Sequence, residues 1–491
     1  MSESDIIATS SPEQNGAPPE DRVHDKEDHL RASFVREVLD AVADGDDEAA
    51  RGLVSDLHPA DIADLIELAP TDERADLIEA LAGIVDADVY AELNEHVRED
   101  VIDEMEPQQV ADLAAQLDTD DAVALIEDLE QDDQLAVLRA MEPDDRAAVE
   151  EALTYPEETA GRLMQRDLIA VPEHWKVGQV IDYLRSGDEL ATDFWEVFVV
   201  SPDHHPVGTC KLSTILRSPR TVPVGEIMAR KQTLIPVGMD QEEVALRFQK
   251  YALISAAVVD PSGRLVGMIT VDDIVHIIQE EAGEDALFLS GAGDGDINEP
   301  IVDTYKERVR WLAANLMTAL VASSVIRFYE HSIERLAVLA VLMPIVAGVG
   351  GNAGTQTLAV TVRAIATNQL TGSNRWRAVF REIRVALMNG LTIAVLIGIA
   401  VTLILGSPQL GGVIAAAMLT NIVIAGLAGV LVPLALERAG ADPAVASSVF
   451  VTMVTDSMGF LVFLGLAAVT LAGKPACTVN ARGSASVTGC K

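Results

Sequence analysis

One ionisable residue, Asp456, stands inside residues 443–473, an otherwise uncharged run of 31. A run of that length crosses a bilayer, which needs roughly 20 residues. A carboxylate at bilayer depth costs about 2.5–3.5 kcal/mol on insertion scales, so such groups usually face a bundle interior or a wet cavity on an ion path. The plainer reading is an aspartate held protonated or drawn to the interface near a helix end. Its neighbours Thr452, Thr455, Ser457 and Gly459 suit a polar lumen better than a lipid-facing wall. A second candidate is backbone rather than charge. Residues 348–354 include Gly348, Gly350, Gly351 and Gly354, and each glycine costs a helix about 1 kcal/mol relative to alanine. Close helix packing through small residues is one use of such a run. The other is a narrow, flexible pore lining with oxygens from Asn352, Thr355 and Gln356, since polar backbone is tolerated at membrane depth where it lines a cavity.

Other candidates lie outside the apolar stretches. Thr270 and Asp273 open a helix after a strand-like run, and Glu280, Glu281, Glu284 and Asp285 follow on neighbouring turns. Cys210, Cys477 and Cys490 have neither metal-ligand spacing nor a disulfide framework, and a reducing compartment is expected for Cys210. No nucleophile–base pair, phosphate loop or His/Cys metal cluster stands out, so an enzyme is not expected. The net charge of −42 is unevenly placed. Residues 1–300 hold 69 of the 77 acids and 21 of the 35 bases, whereas residues 301–491 hold 8 acids and 14 bases. An acidic water-facing half argues against nucleic acid, whose phosphates need a basic surface, and favours cations. Acidity also serves solubility alone.

These residues must be positioned by several kinds of element. Residues 1–29 are polar and read as a disordered leader with no signal segment, which keeps the first half cytoplasmic. Residues 30–155 read as an acidic helical superhelix. Leu57, His58, Pro59, Ala60 and Asp61 recur in kind at Met105, Glu106, Pro107, Gln108 and Gln109. Proline followed by acids fits a first helical turn, and short helices bury their apolar faces by stacking. Residues 156–282 read as two tandem α/β units, with strands at 168–171, 197–200, 234–237, 256–259 and 265–269. A helical connector, 272–310, carries a Gly/Asp-rich stretch at 290–296 that breaks it. Residues 311–473 read as five spans: 311–326, 336–362, two within the charge-free run 385–436 folded at 406–412, and 443–473. Lys306, Arg308 and Arg310, and the group from Arg363 to Arg384, place their flanks in the cytoplasm. The C-terminus is then outside, and residues 474–491 form a disordered tail.

The order of parts, with Gly-Gly-Asn-Ala-Gly-Thr-Gln at 350–356, Asp-Pro-Ala at 442–444, Thr-Asp at 455–456 and Tyr-Pro-Glu-Glu-Thr-Ala-Gly-Arg-Leu-Met at 155–164, resembles the MgtE family of magnesium channels and transporters. The tandem α/β units resemble a CBS pair. The resemblance covers about residues 30–473 and implies a multi-domain fold: superhelical N-terminal domain, CBS pair, plug-like connecting helix and five-helix transmembrane domain. It implies a multi-pass homodimer in the cell membrane, in contact with lipid, with Mg²⁺ as substrate and regulator. Asp456 matches the pore aspartate that holds a hydrated ion. Gly348, Gly351, Asn352, Thr355 and Gly459 match the pore and gate, and Glu334 the outer mouth. Asp120, Asp273, Glu281, Glu284 and Asp285 match carboxylates that bind regulatory Mg²⁺. Ala124 lacks an acid found in relatives, and His276 stands where a relative has aspartate. Thr270 and Asp273 match a ribose-binding pair that implies ATP, whereas the first unit has Lys211 and Thr214 at those places. The alternatives are an ion-coupled transporter of divalent cations, Mn²⁺ or Co²⁺ as additional substrates, and a membrane-anchored sensor without conduction.

Overall fold

The computed structural model describes residues 23–26, 29–103, 105–127, 129–186, 194–290, 298–370 and 374–471. Most of the expected leader, the 474–491 tail with Cys477 and Cys490, and most of the Gly/Asp-rich stretch lie outside the described residues. Two compact units are present, Met1–Ile274 and Val275–Lys491.

The first unit begins with ten short helices: α1 (Ala32–Ala43), α2 (Asp47–Val54), α3 (Pro59–Leu68), α4 (Thr71–Ala80), α5 (Ala87–Glu92), α6 (Glu95–Ile102), α7 (Pro107–Ala114), α8 (Thr119–Glu127), α9 (Gln131–Ala140) and α10 (Pro143–Ala152). The recurring prolines do what their spacing predicts. Pro59, Pro107 and Pro143 each open a helix, where a missing N–H is harmless. At α7 the Glu106 N–H donates to Gln109 Oε1 at 2.9 Å, part of a capping box. Helices this short are marginal alone in water. They stack: α3 on α5, α5 on α8, α8 on α10, α7 on α9. Their apolar faces meet in one core with Leu65, Ile66, Leu77, Leu81 and Ile126 fully buried. His24 bridges to Leu30 and bonds Asp61 at 3.1 Å, so chain ahead of residue 30 packs on this domain.

Two α/β units follow, each a three-stranded sheet. The first has β1 (Ala170–Pro172), α11 (Val177–Leu184), β2 (Glu196–Val200), β3 (Pro206–Lys211) and α12 (Leu212–Arg217). After α13 (Val224–Ile227), the second has β4 (Leu234–Pro236), α14 (Gln241–Tyr251), β5 (Ser255–Val259), β6 (Leu265–Thr270) and α15 (Val271–Ser290). In both sheets the first pair is parallel and the second antiparallel, with a bulge at Val199/Val200 and at Val258/Val259. The units exchange their leading segments. Gln165 pairs with Met268 of the second sheet, and Ala229 with Thr209 of the first. A Cβ on Gly267 would lie 2.8 Å from Met164 Sδ, and one on Gly208 would lie 2.8 Å from Met228 Sδ. Two matched glycines thus admit two matched methionines, one per unit. Cys210 is buried in the core of the first unit, in the same cluster as Met228, and burial pushes its thiol up to about 11, which makes it unreactive.

The second unit holds α16 (Ile301–Phe328), the short α17 (Glu330–Arg335), α18 (Val338–Ala366), α19 (Arg375–Leu405), α20 (Pro408–Ala439) and α21 (Pro443–Leu471). Five of these are long and apolar enough to cross a membrane. The expected connector end at 310 falls inside α16, so Lys306, Arg308 and Arg310 share a continuous helix with the first span. The helices α19 and α20 turn at Gly406, which takes the left-handed conformation at φ 64°. The most enclosed helix is α20, which packs on α18, α19 and α21.

Candidate functional site: ion path and acidic cluster

The glycine run of α18 divides between two faces. A Cβ on Gly354 would lie 2.7 Å from Val451 Cγ1 and 3.2 Å from Thr455 Cγ2 of α21. Opposite Gly429 of α20, the Gly354 carbonyl comes within 2.8 Å of where a Cβ would sit. Gly350 and Gly354 therefore serve close packing. Gly348 and Gly351 do not: among the described residues nothing lies within 4 Å of a Cβ at either. With Asn352 and Thr355 they occupy positions i, i+3, i+4 and i+7, a single helical face. Close packing falls on one side of the run and an open face on the other. The Thr355 hydroxyl donates to the Gly351 carbonyl at 3.1 Å, so it satisfies itself without a neighbouring helix.

Asp456 lies about 20 Å along α21 from Pro443, at 1.5 Å per residue, in the middle of a span. It is partly exposed and forms no hydrogen bond or ion pair among the described residues. Thr455 packs on Gly354, so Asp456 sits at the level of Thr355. Gly459 is buried against Asn421 of α20. Glu334 is exposed on α17, 3.5 Å from His331, apart from this group.

The water-facing unit brings a different set of carboxylates together. Asp120 and Asp121 stand in the first turn of α8, with Asp118 just ahead; Asp272 and Asp273 stand in the first turn of α15. Helix N-termini favour acids, but here they gather at one place. Burial, then the charges of Asp273, Asp121 and Asp118, raise the Asp120 pKa well above the ordinary carboxylate range. Burial, then Asp273 and Asp118, push Asp121 up to about 6, with Arg98 opposing. Asp273 is also pushed up to about 6, by burial first. The Thr270 hydroxyl, donating to Asp273 Oδ2 at 2.7 Å, works against that shift. Asp120 Oδ1 is buried with no hydrogen-bond partner among the described residues. Among the described residues no three His, Cys, Asp or Glu side chains are close enough to enclose an ion directly. Crowded, partly desolvated carboxylates without an inner cage suit Mg²⁺ that keeps several waters. The sequence singled out Asp120 and Asp273 and passed over Asp118 and Asp121, although all three acids at 118–121 mark one helix start. Glu281 and Glu284 share a face further along α15, half-buried; the side chain of Asp285 lies outside the described residues.

The end of α15 is docked. Phe288 and Leu289 pack against a buried cluster of Leu358 and Val362 of α18, Ala428 of α20, and Ala444 and Val451 of α21. Phe288 and Leu289 thus give the end of α15 an apolar foot among the membrane helices.

Stacked acidic helices, a tandem α/β pair and five long apolar helices define a multi-pass membrane protein with a large water-facing half. Residues 343–466 match a family model described as a divalent cation transporter, residues 57–158 the MgtE intracellular N domain, and residues 224–280 a CBS domain. The magnesium transporter MgtE of Enterococcus faecalis is 32% identical over 318 residues, covering 65% of this chain and 70% of that protein. That of Thermus thermophilus is 35% identical over 327 residues, covering 65% and 72%. The crystal structure of the cytosolic domain of the Mg²⁺ channel MgtE in complex with ATP matches half of this chain (50%) and 99% of its own, at 27% identity and a TM-score of 0.46. The chain belongs to the MgtE family, whose members are transporters and not enzymes.

Proposed function

We propose that this protein carries Mg²⁺ across the cell membrane along a path at Asp456 and is closed by Mg²⁺ on its acidic cytosolic half. One observation carries the path: glycine and polar residues on an open face of α18, at the level of a membrane carboxylate with no partner among the described residues. Such a face is a poor lipid surface. Two copies related by a two-fold axis, the commonest closed arrangement, bring two Asp456 carboxylates to one hydrated ion, which Mg²⁺ prefers to full dehydration. Gly348 and Gly351 leave clearance there, Asn352 and Thr355 supply oxygens, and Glu334 stands at the outer mouth. The acidic domains and the connector are then cytoplasmic, and the C-terminus is outside.

The cluster of Asp118, Asp120, Asp121 and Asp273 supplies the sensor, extended by Glu281, Glu284 and Asp285. At low Mg²⁺ the acids repel. Bound Mg²⁺ favours the arrangement that brings them together, a population shift by differential binding, and α15 transmits it through Phe288 and Leu289. Thr270 and Asp273 also suit a ribose, but Thr270 already bonds Asp273 and the surrounding carboxylates oppose a triphosphate, so ATP is the lesser ligand. Ion-coupled transport is the second reading, because a lone membrane carboxylate serves a proton as readily as a metal.

Mg²⁺ uptake into proteoliposomes decides. Asp456→Ala and Asp456→Asn should lower flux tenfold or more, and Mg²⁺ on the cytosolic face should suppress the wild type. Unchanged flux in a folded Asp456→Ala protein removes the residue from the path. Flux that collapses without a Na⁺ or H⁺ gradient favours coupled transport.

A further inference from the structure

Asn421 of α20 is fully buried at 0% exposure within the membrane helices. Its Nδ2 donates across to the Val346 carbonyl of α18 at 3.0 Å. Its Oδ1 is buried and accepts no hydrogen bond among the described residues. The amide also fills two notches at once. A Cβ on Gly350 of α18 would lie 3.0 Å from Asn421 Cγ, and one on Gly459 of α21 would lie 2.8 Å from Nδ2 and 3.2 Å from Oδ1.

Buried hydroxyls nearby behave differently. Thr455 donates to Thr452 on its own helix and Thr361 to Thr357, so neither needs a neighbour. An amide with one bond to another helix and one idle acceptor is costly where there is no water, and an apolar side chain of similar volume would avoid that cost. What the amide adds is direction: its N–H selects one carbonyl and so one register of α20 on α18.

We propose that Asn421 is a positioning residue for the ion path. It is the wedge that sets the separation and register of α18, with its open face of Gly348, Gly351, Asn352 and Thr355, and α21, with Asp456. The inference rests on the conduction proposed above.

The test is a double-variant cycle in full-length protein in proteoliposomes: wild type, Gly459→Ala, Asn421→Ala and both together, with Asn421→Ser as the conservative variant. Ile414→Ala, a fully buried position elsewhere on α20, controls for lost packing. Mg²⁺ flux, the ratio of Mg²⁺ to Ca²⁺ flux and the thermal midpoint are read for each. Gly459→Ala should lose tenfold or more in flux, because its methyl group meets the amide. Adding Asn421→Ala should restore flux to within threefold of Asn421→Ala alone. Asn421→Ala should change the ion ratio threefold or more, Asn421→Ser less, and Ile414→Ala not at all at a similar drop in thermal midpoint. A double variant no better than Gly459→Ala, or an ion ratio that moves equally in Ile414→Ala, overturns the proposal while leaving wild-type conduction intact. Wild-type protein without Mg²⁺ flux overturns conduction and this inference together.

Discussion

The carboxylates at the start of α8 and α15 are the residues most exposed to a change in pH. Asp121 and Asp273 are both pushed up to about 6, above the roughly 3.9 of an unperturbed aspartate. The folded protein holds these protons more tightly than the unfolded chain, so stability is lost as pH rises from about 4 through about 6 and is level above. Acid should therefore stabilise the metal-free acidic half. In protein stripped of Mg²⁺, lowering pH from about 7.5 to about 5.5 should raise its thermal midpoint by several degrees, since about 1 kcal/mol moves a domain of this size by about 2–4 °C. Added Mg²⁺ should raise the midpoint at the higher pH and do little at the lower. Asp121→Asn should flatten both responses. General surface repulsion titrates nearer pH 4, so a response centred near 6 belongs to the cluster. A midpoint that falls on acidification, or a Mg²⁺ shift indifferent to pH, would count against the sensor.

At the scale of the helix, one glycine run has a packed face and an open face, and substitution separates them. Gly354→Ala places a methyl group against Val451 and Thr455, and overpacking of that kind costs about 1–3 kcal/mol. Gly351→Ala meets nothing within 4 Å and gains helix propensity of up to about 1 kcal/mol. The first should lower the thermal midpoint in detergent. The second should not, yet should lower Mg²⁺ flux by narrowing the path; equal thermal losses would refute the division. The sequence displayed the run, its cost and both uses, but not which glycine served which, because that phase is fixed by Val451, Thr455 and Asn421 on distant parts of the chain. Asn421 itself was hidden in a 52-residue charge-free run, where a single amide beside Thr420 carries no periodic signal. Proline and acid spacing gave the N-terminal helices correctly because those rules act within one turn. Strand β3 escaped because Pro206 and Gly208 read as turn residues; its pairing with β2 is a tertiary fact. Asp118 and Asp121 carry no signal in the sequence that separates them from other acids at helix starts, and only folding brings Asp273 to them.

Across the whole molecule, two kinds of repulsion must be told apart. Residues 1–300 carry 48 more acids than bases, and most of that charge is exposed. Repulsion between exposed charges is screened by any salt, over a Debye length of about 8 Å at physiological ionic strength and about 3 Å at 1 M. Asp120, Asp121 and Asp273 are half-buried and are screened less, because part of their field runs through protein. Monovalent salt and Mg²⁺ should therefore act separately. Raising KCl from about 0.05 M to about 0.5 M should slow proteolysis of the Mg²⁺-free acidic half modestly, by about twofold, and should leave flux open. Millimolar Mg²⁺ added at the higher KCl should still slow proteolysis further and close the path, because it neutralises Asp118, Asp120, Asp121 and Asp273, which K⁺ does not reach in register. Closure by KCl alone would mean that overall charge, and not the cluster, governs the gate. Loss of the Mg²⁺ effect at high KCl would place the sensing acids at the exposed surface. Retention of both effects in Asp120→Asn protein would move the sensor to the face of α15 that bears Glu281 and Glu284.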